Sequence, residues 1–75
     1  MRLAHEAKVT LLEARAIALR TVPGKIVSQE LERERGGSGL RYTFDIKAGE
    51  TTREVGVDAK SGRLLENIVE GKNRD

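Results

Sequence analysis

Apolar positions along this chain change period once, near residue 23, and the change separates one helix from a run of strands. From Leu11 to about Arg20 the chain is rich in Ala and Leu, both strong helix formers. Leu11, Ala14, Ala18 and Val22 share one face of a helical wheel, with Ile17 at its edge. Small side chains at Ala14 and Ala18 let the helix axis approach a sheet closely. Leu12 and Leu19 lie to one side of that stripe as a second apolar edge, with Arg15 falling between. Thr10 reads as the N-cap, and Glu13 three residues later completes a capping box. Pro23-Gly24 stops the helix, because Pro biases Val22 away from helical geometry and Gly permits a reversal.

Past Gly24 the pattern alternates. Leu40-Arg41-Tyr42-Thr43-Phe44-Asp45-Ile46-Lys47 is the cleanest strand, with apolar residues facing one way and polar residues the other. Before it, Lys25 to about Arg35 reads as a long, mostly polar strand whose best inward positions are Val27 and Leu31. Gly36-Gly37-Ser38-Gly39 joins these two as a mobile hairpin loop. Ala48-Gly49-Glu50 turns the chain into a third strand, Thr51 to Asp58, with Val55 and Val57 on one face. Asp58 then opens a tight turn by accepting backbone N–H bonds two or three residues on, and Gly62 closes it with a positive φ. In the fourth strand, Arg63 to Glu70, Leu64, Leu65, Ile68 and Val69 break strict alternation, which predicts a bulge or a two-sided environment.

One helix followed by four strands on short links predicts an α+β fold: an N-terminal helix packed on one face of a four-stranded antiparallel meander. The opposite sheet face should be charged, with Arg41, Asp45, Lys47 and Glu54 as members. Residues 1–8 read as a tail, 9–70 as a single domain and 71–75 as a polar C-terminal tail. A chain of 75 residues buries only about 60% of its unfolded surface, so its stability is thin and a partner or a second copy is expected.

Composition excludes more than it assigns. With no cysteine, neither a disulfide framework nor a Cys-type metal site is available. No apolar run approaches the ~20 residues needed to cross a bilayer, so no membrane insertion is expected. Met1 to Lys8 lacks the apolar core of a signal peptide. A signal removed upstream, with Met1 standing in its place, would put the domain in the periplasm or outside the cell. Fourteen Lys and Arg against twelve Asp and Glu leave a net charge of +2, spread in both signs along the chain.

Several stretches resemble the PepSY domain, and their order and spacing carry the likeness together. Val9-Thr10-Leu11, Ala14, Ile17-Ala18-Leu19 and Val22-Pro23-Gly24 look like its helix. Leu31-Glu32-Arg33-Glu34, Tyr42-Thr43-Phe44-Asp45-Ile46 and Val57-Asp58-Ala59-Lys60-Ser61-Gly62 look like its strands and last turn. The resemblance runs from about Val9 to Val69. It implies a fold similar to that of a β-lactamase inhibitor protein. It also implies a role like that of the propeptides of thermolysin-type metalloproteases, which inhibit or chaperone peptidases. Arg15 departs from the pattern, since such domains often carry an apolar residue there. The matching residues look structural, and no functional site is carried over from them.

Candidate chemistry is sparse. His5, the lone histidine, has only Glu6 as a suitable neighbour and reads as part of a solvated tail. Ser28, Ser38 and Ser61 lack a histidine or lysine arrangement that would make a nucleophile. Glu30, Glu32 and Glu34 share a strand face and could attract Ca²⁺, yet a solvated strand that resists unwanted pairing is the better reading. The glycine loop opens no helix and so cradles no phosphate. Arg33, Arg35 and Arg41 gather near it, but nucleic-acid stacking wants exposed aromatics, and Tyr42 and Phe44 are needed inside.

No catalytic, metal or cofactor residue is therefore assigned, no enzyme activity is expected and no nucleic acid is expected to bind. The reading is a protein-binding module that regulates a peptidase as inhibitor or chaperone, with a secreted metallopeptidase as the partner implied by the resemblance. Its expected contact residues are Ser28, Glu30, Glu32, Arg33 and Arg35 on the first strand and loop, with Leu12 and Leu19 on the helix. The alternative is a structural domain that self-associates as a homodimer through a sheet edge or through Leu12 and Leu19. A basic nucleic-acid-binding module ranks third.

Overall fold

A computed structural model describes residues 3–70. A short 3-10 turn (Leu3–His5) precedes α1 (Leu11–Thr21), and four strands follow: β1 (Lys25–Arg33), β2 (Leu40–Ala48), β3 (Thr51–Asp58) and β4 (Leu64–Val69). The strands form one antiparallel sheet in the order β1-β2-β3-β4, and α1 packs against β2 and β3. The expected meander with a helix on one face is the observed fold.

Local signals act as their chemistry requires. Thr10 Oγ1 accepts from the Glu13 N–H, and Glu13 Oε1 accepts from the Thr10 N–H, closing the capping box. Ala14 and Ala18 are fully buried, so the helix axis sits close to the sheet. Opposite them lie Leu40, Tyr42, Phe44 and Ile46 of β2 and Val55 and Val57 of β3, with Ala59 just beyond. Both aromatic side chains are in this core, their rings 6.3 Å apart and stacked. The Tyr42 hydroxyl leaves it to donate to the Val9 carbonyl at 2.7 Å.

Three expectations need correction. Val27 is not inward: it is the extra residue of a bulge between Ile26 and Ser28, and it is 51% exposed. The bulge shifts the side-chain alternation, so Ile26 joins Leu31 in packing against the core. Secondly, β1 ends at Arg33, because the chain must reverse through Gly36, Gly37 and Gly39, all at positive φ. Finally, the segment ahead of the helix is packed and not loose. Leu3 and Ala7 lie against the core, and the Lys8 and Val9 N–H groups both donate to the Ala59 carbonyl, at 2.8 and 2.9 Å. The irregularity expected in β4 is present as a bulge at Leu65, between the pairs Val57–Leu64 and Gly56–Glu66. The polar tail at 71–75 lies outside the described residues.

Candidate functional site

At one end of the sheet the β1–β2 loop and the β3–β4 turn meet on a single carboxylate. Asp58 is 1% exposed and accepts four hydrogen bonds. Two come from its own turn, the N–H groups of Lys60 (2.8 Å) and Ser61 (3.0 Å). The other two come from Ser38 across the sheet end, its N–H at 2.6 Å and its hydroxyl at 2.9 Å. Burial alone would raise the Asp58 pKa, but these donors outweigh it and hold the group well below the usual carboxylate range. The glycine loop, expected to be mobile, is instead pinned to the turn by Ser38. Gly37 must lack a side chain here, since a Cβ would collide with the Asp58 carboxylate and meet Leu65 at 2.9 Å.

The sheet face away from the helix is open and acidic. Ser28, Glu30 and Glu32 of β1, Asp45 of β2, Glu54 of β3 and Glu70 line a cleft of about 190 Å³ on it, together with Thr43. Asp45 stands directly opposite Glu54 in the β2–β3 register, a like-charge pairing that works against the sheet. Oxygen atoms of Asp45, Glu54 and Glu70 lie within 4.8 Å of one another. Burial pushes the Glu54 pKa up, and the charges of Glu66, Asp45, Glu70 and Glu32 push it the same way. Glu70 is raised chiefly by the Asp45 charge, then by burial and a hydrogen bond to Asp45. Neutral donors relieve part of the crowding: Ser28 Oγ donates to Asp45 (2.7 Å) and Thr43 Oγ1 to Glu32 (2.8 Å).

One cation crosses this face. Arg41 lies over Gly56 of β3 to reach Glu66 of β4 at 2.9 Å, and its other terminal nitrogen donates to the Arg35 carbonyl. A Cβ at Gly56 would meet the guanidinium at 3.0 Å, so the glycine is the groove in which Arg41 lies.

The family model for PepSY, described as peptidase propeptide and YPEB domain, matches residues 8–67. The chain belongs to the PepSY family. Among the curated proteins and the solved structures, nothing matches it significantly. The match covers α1, all of β1 to β3 and most of β4, so it spans the Asp58 hub and the acidic face except Glu70.

The expected contact residues are scattered over this PepSY domain. Ser28, Glu30 and Glu32 share the open face, bordering the cleft. Arg33 turns to the helix side and pairs with Glu6, whose carboxyl is lowered by that hydrogen bond. Arg35 is exposed in the loop, and its carbonyl is taken by Arg41. On the helix, Leu12 is 77% exposed while Leu19 is half-buried against the core. The helix edge is thus not a paired apolar stripe. Arg15, the departure from the family pattern, reaches over the sheet to Gln29 at 2.7 Å. Glu34 lies past the end of β1, which leaves Glu30 and Glu32 as the row on the open face. Arg33 and Arg41 lie on opposite sheet faces, each paired with a glutamate, so the arginines near the loop do not gather on one face. Sequence reasoning missed Glu66 and Glu70 on the acidic face, because the bulge at Leu65 sets their direction.

Proposed function

We propose that this PepSY domain is a non-enzymatic protein-binding module that docks on a peptidase and restrains it. The observation that carries the reading is the family match over residues 8–67, a family described by its peptidase propeptides. The side chains support it. The Ser38 hydroxyl donates to Asp58, yet a carboxylate whose pKa is held far down is too weak a base to activate it. His5 is exposed, and its neighbour Glu6 is engaged by Arg33.

The partner-facing surface in this proposal is the open acidic face, with Ser28, Glu30 and Glu32 at one side, and the implied partner is a secreted metallopeptidase. Titrating the protein into thermolysin-type metallopeptidases tests it. Inhibition or co-elution in the micromolar range is the expected result. A set of such enzymes that neither binds the protein nor slows in its presence overturns the reading.

A further inference from the structure

The sheet has two edges, and they are built differently. On the β1 side, the Glu34 N–H donates to the Gly39 carbonyl, so Glu32, Glu30 and Ser28 follow it in facing β2. Gln29, Leu31 and Arg33 therefore turn their backbone groups outward. That edge is guarded by the bulge at Val27, by charged Glu30, Glu32 and Arg33, and by the 3-10 turn that contacts β1. On the β4 side, the Glu70 N–H donates to the Thr52 carbonyl, so Ile68 and Glu66 face β3 while Asn67 and Val69 present their N–H and C=O groups outward. No described strand lies beyond them. β4 contains no Lys, Arg or Pro, and Leu64, Ile68 and Val69 are 43%, 47% and 47% exposed. Such an edge is a template for another strand.

Charge decides what kind of strand fits. A second copy in antiparallel pairing must match Asn67 and Val69 with their counterparts. One register sets Glu66 opposite the Glu70 of the other copy. Every antiparallel register of this edge with itself lays the two acidic faces side by side as one. Like charges opposed or crowded across a sheet are destabilising, so the joined acidic faces disfavour self-pairing. A strand with cations four positions apart meets Glu70 and Glu66 favourably, Glu66 dividing its carboxylate between that strand and Arg41, and Glu54 lies just inside them.

We propose that β4 is the docking edge for an extended segment of a protein partner. The segment adds a fifth strand, with Lys or Arg facing Glu66 and Glu70 and an apolar residue between them over Ile68. Backbone groups of Asn67 and Val69 supply the hydrogen bonds, and the acidic face supplies the selectivity. This inference rests on the reading of the chain as a protein-binding module and names where and what it binds.

The test uses the full isotope-labelled chain and the capped heptapeptide Thr-Lys-Val-Ile-Thr-Lys-Thr, with Thr-Glu-Val-Ile-Thr-Glu-Thr as the control. The lysine peptide should shift and protect the Asn67 and Val69 amides and leave Gln29 and Leu31 unmoved. Its affinity should exceed the control's by about tenfold and fall as salt rises from ~50 to ~500 mM. Val69→Pro removes an outward N–H without touching the β3 ladder, and Ile68→Lys places a like charge under the peptide. Each should weaken binding about tenfold while preserving the circular dichroism of the parent. The proposal is overturned by shifts at Gln29 and Leu31 instead, by equal binding of the control, or by no binding at ~1 mM peptide. Light scattering that shows a dimer dispersed by Val69→Pro overturns it too, in favour of a second copy. Peptidase inhibition separates the two claims. If Val69→Pro inhibits a peptidase as well as the parent does, the β4 edge fails and the peptidase reading stands. If the lysine peptide binds at β4 while no peptidase is inhibited, the edge stands and the peptidase reading fails.

Discussion

Replacing Asp58 by Asn should separate the two turns that its carboxylate holds together. The asparagine can keep its oxygen on the side that accepts from Lys60, Ser61 and the Ser38 hydroxyl. Its amide nitrogen then replaces the oxygen that accepts from the Ser38 N–H, setting donor against donor at a site now 2.6 Å across. Hydrogen bonds to a charged acceptor contribute roughly 1.5–3 kcal/mol each, and neutral ones about 1. Losing one bond and the charge on the rest, less the relief of no longer burying a charge, costs about 3 kcal/mol. A domain of 75 residues has a total stability of roughly 4–11 kcal/mol, so the effect is a large share of it. Urea unfolding followed by circular dichroism at pH 7 should show a midpoint lower by about 2–3 M at an unchanged slope. Amide exchange should quicken at Ser38 and leave Lys60 and Ser61 protected. The pH dependence provides a second check. Because the folded-state pKa of Asp58 lies below its unfolded value of about 3.9, its stabilisation is fully present above about pH 5. That contribution is lost as the pH falls toward the folded-state value, so parent and variant should converge on the way to about pH 2. An unchanged midpoint at pH 7, or a gap that persists undiminished in acid, refutes the account of Asp58 as the clamp.

Other perturbations probe the remaining elements. Glu54→Gln should stabilise the protein at pH 7 by about 0.5–1 kcal/mol in urea unfolding, by removing a carboxylate opposed to Asp45. The sign follows from its raised folded-state pKa: the stability contributed below the unfolded value is lost as pH rises through the folded one, so the gain should vanish below about pH 4. Gly37→Ala should destabilise by about 2 kcal/mol or more, since it combines a positive φ with a collision at Asp58, and thermal melting reads the loss. Thr10→Ala should remove about 1 kcal/mol by opening the capping box, with helical circular dichroism weakened in proportion.

Short-range chemistry made much of this PepSY domain legible in its sequence. The helix from Leu11, its cap, its stop at Pro23-Gly24 and the strand from Thr51 to Asp58 depend on residues a few positions apart, and each stands as the sequence reads. Alternation in β2 likewise named the buried Tyr42, Phe44 and Ile46 and the charged positions Arg41, Asp45 and Lys47. Errors arose where one extra residue changes which way everything after it points. The bulge at Val27 exchanged Val27 for Ile26, and the bulge at Leu65 hid Glu66 and Glu70 from the acidic face.

The turn from Asp58 to Gly62 shows both sides of this division. Its local form was readable in the sequence, because Asp58 bonds to Lys60 and Ser61 within its own turn and Gly62 takes the positive φ expected of it. Its grip on Ser38, twenty residues earlier, was not, because that contact exists only once three strands are in register. The same holds for the acidic face and the open β4 edge. Side-chain type and spacing determine which residues can form a helix, strand or turn. Which carboxylates crowd one another, and which strand is left without a neighbour, depend on distances that only strand order and register set.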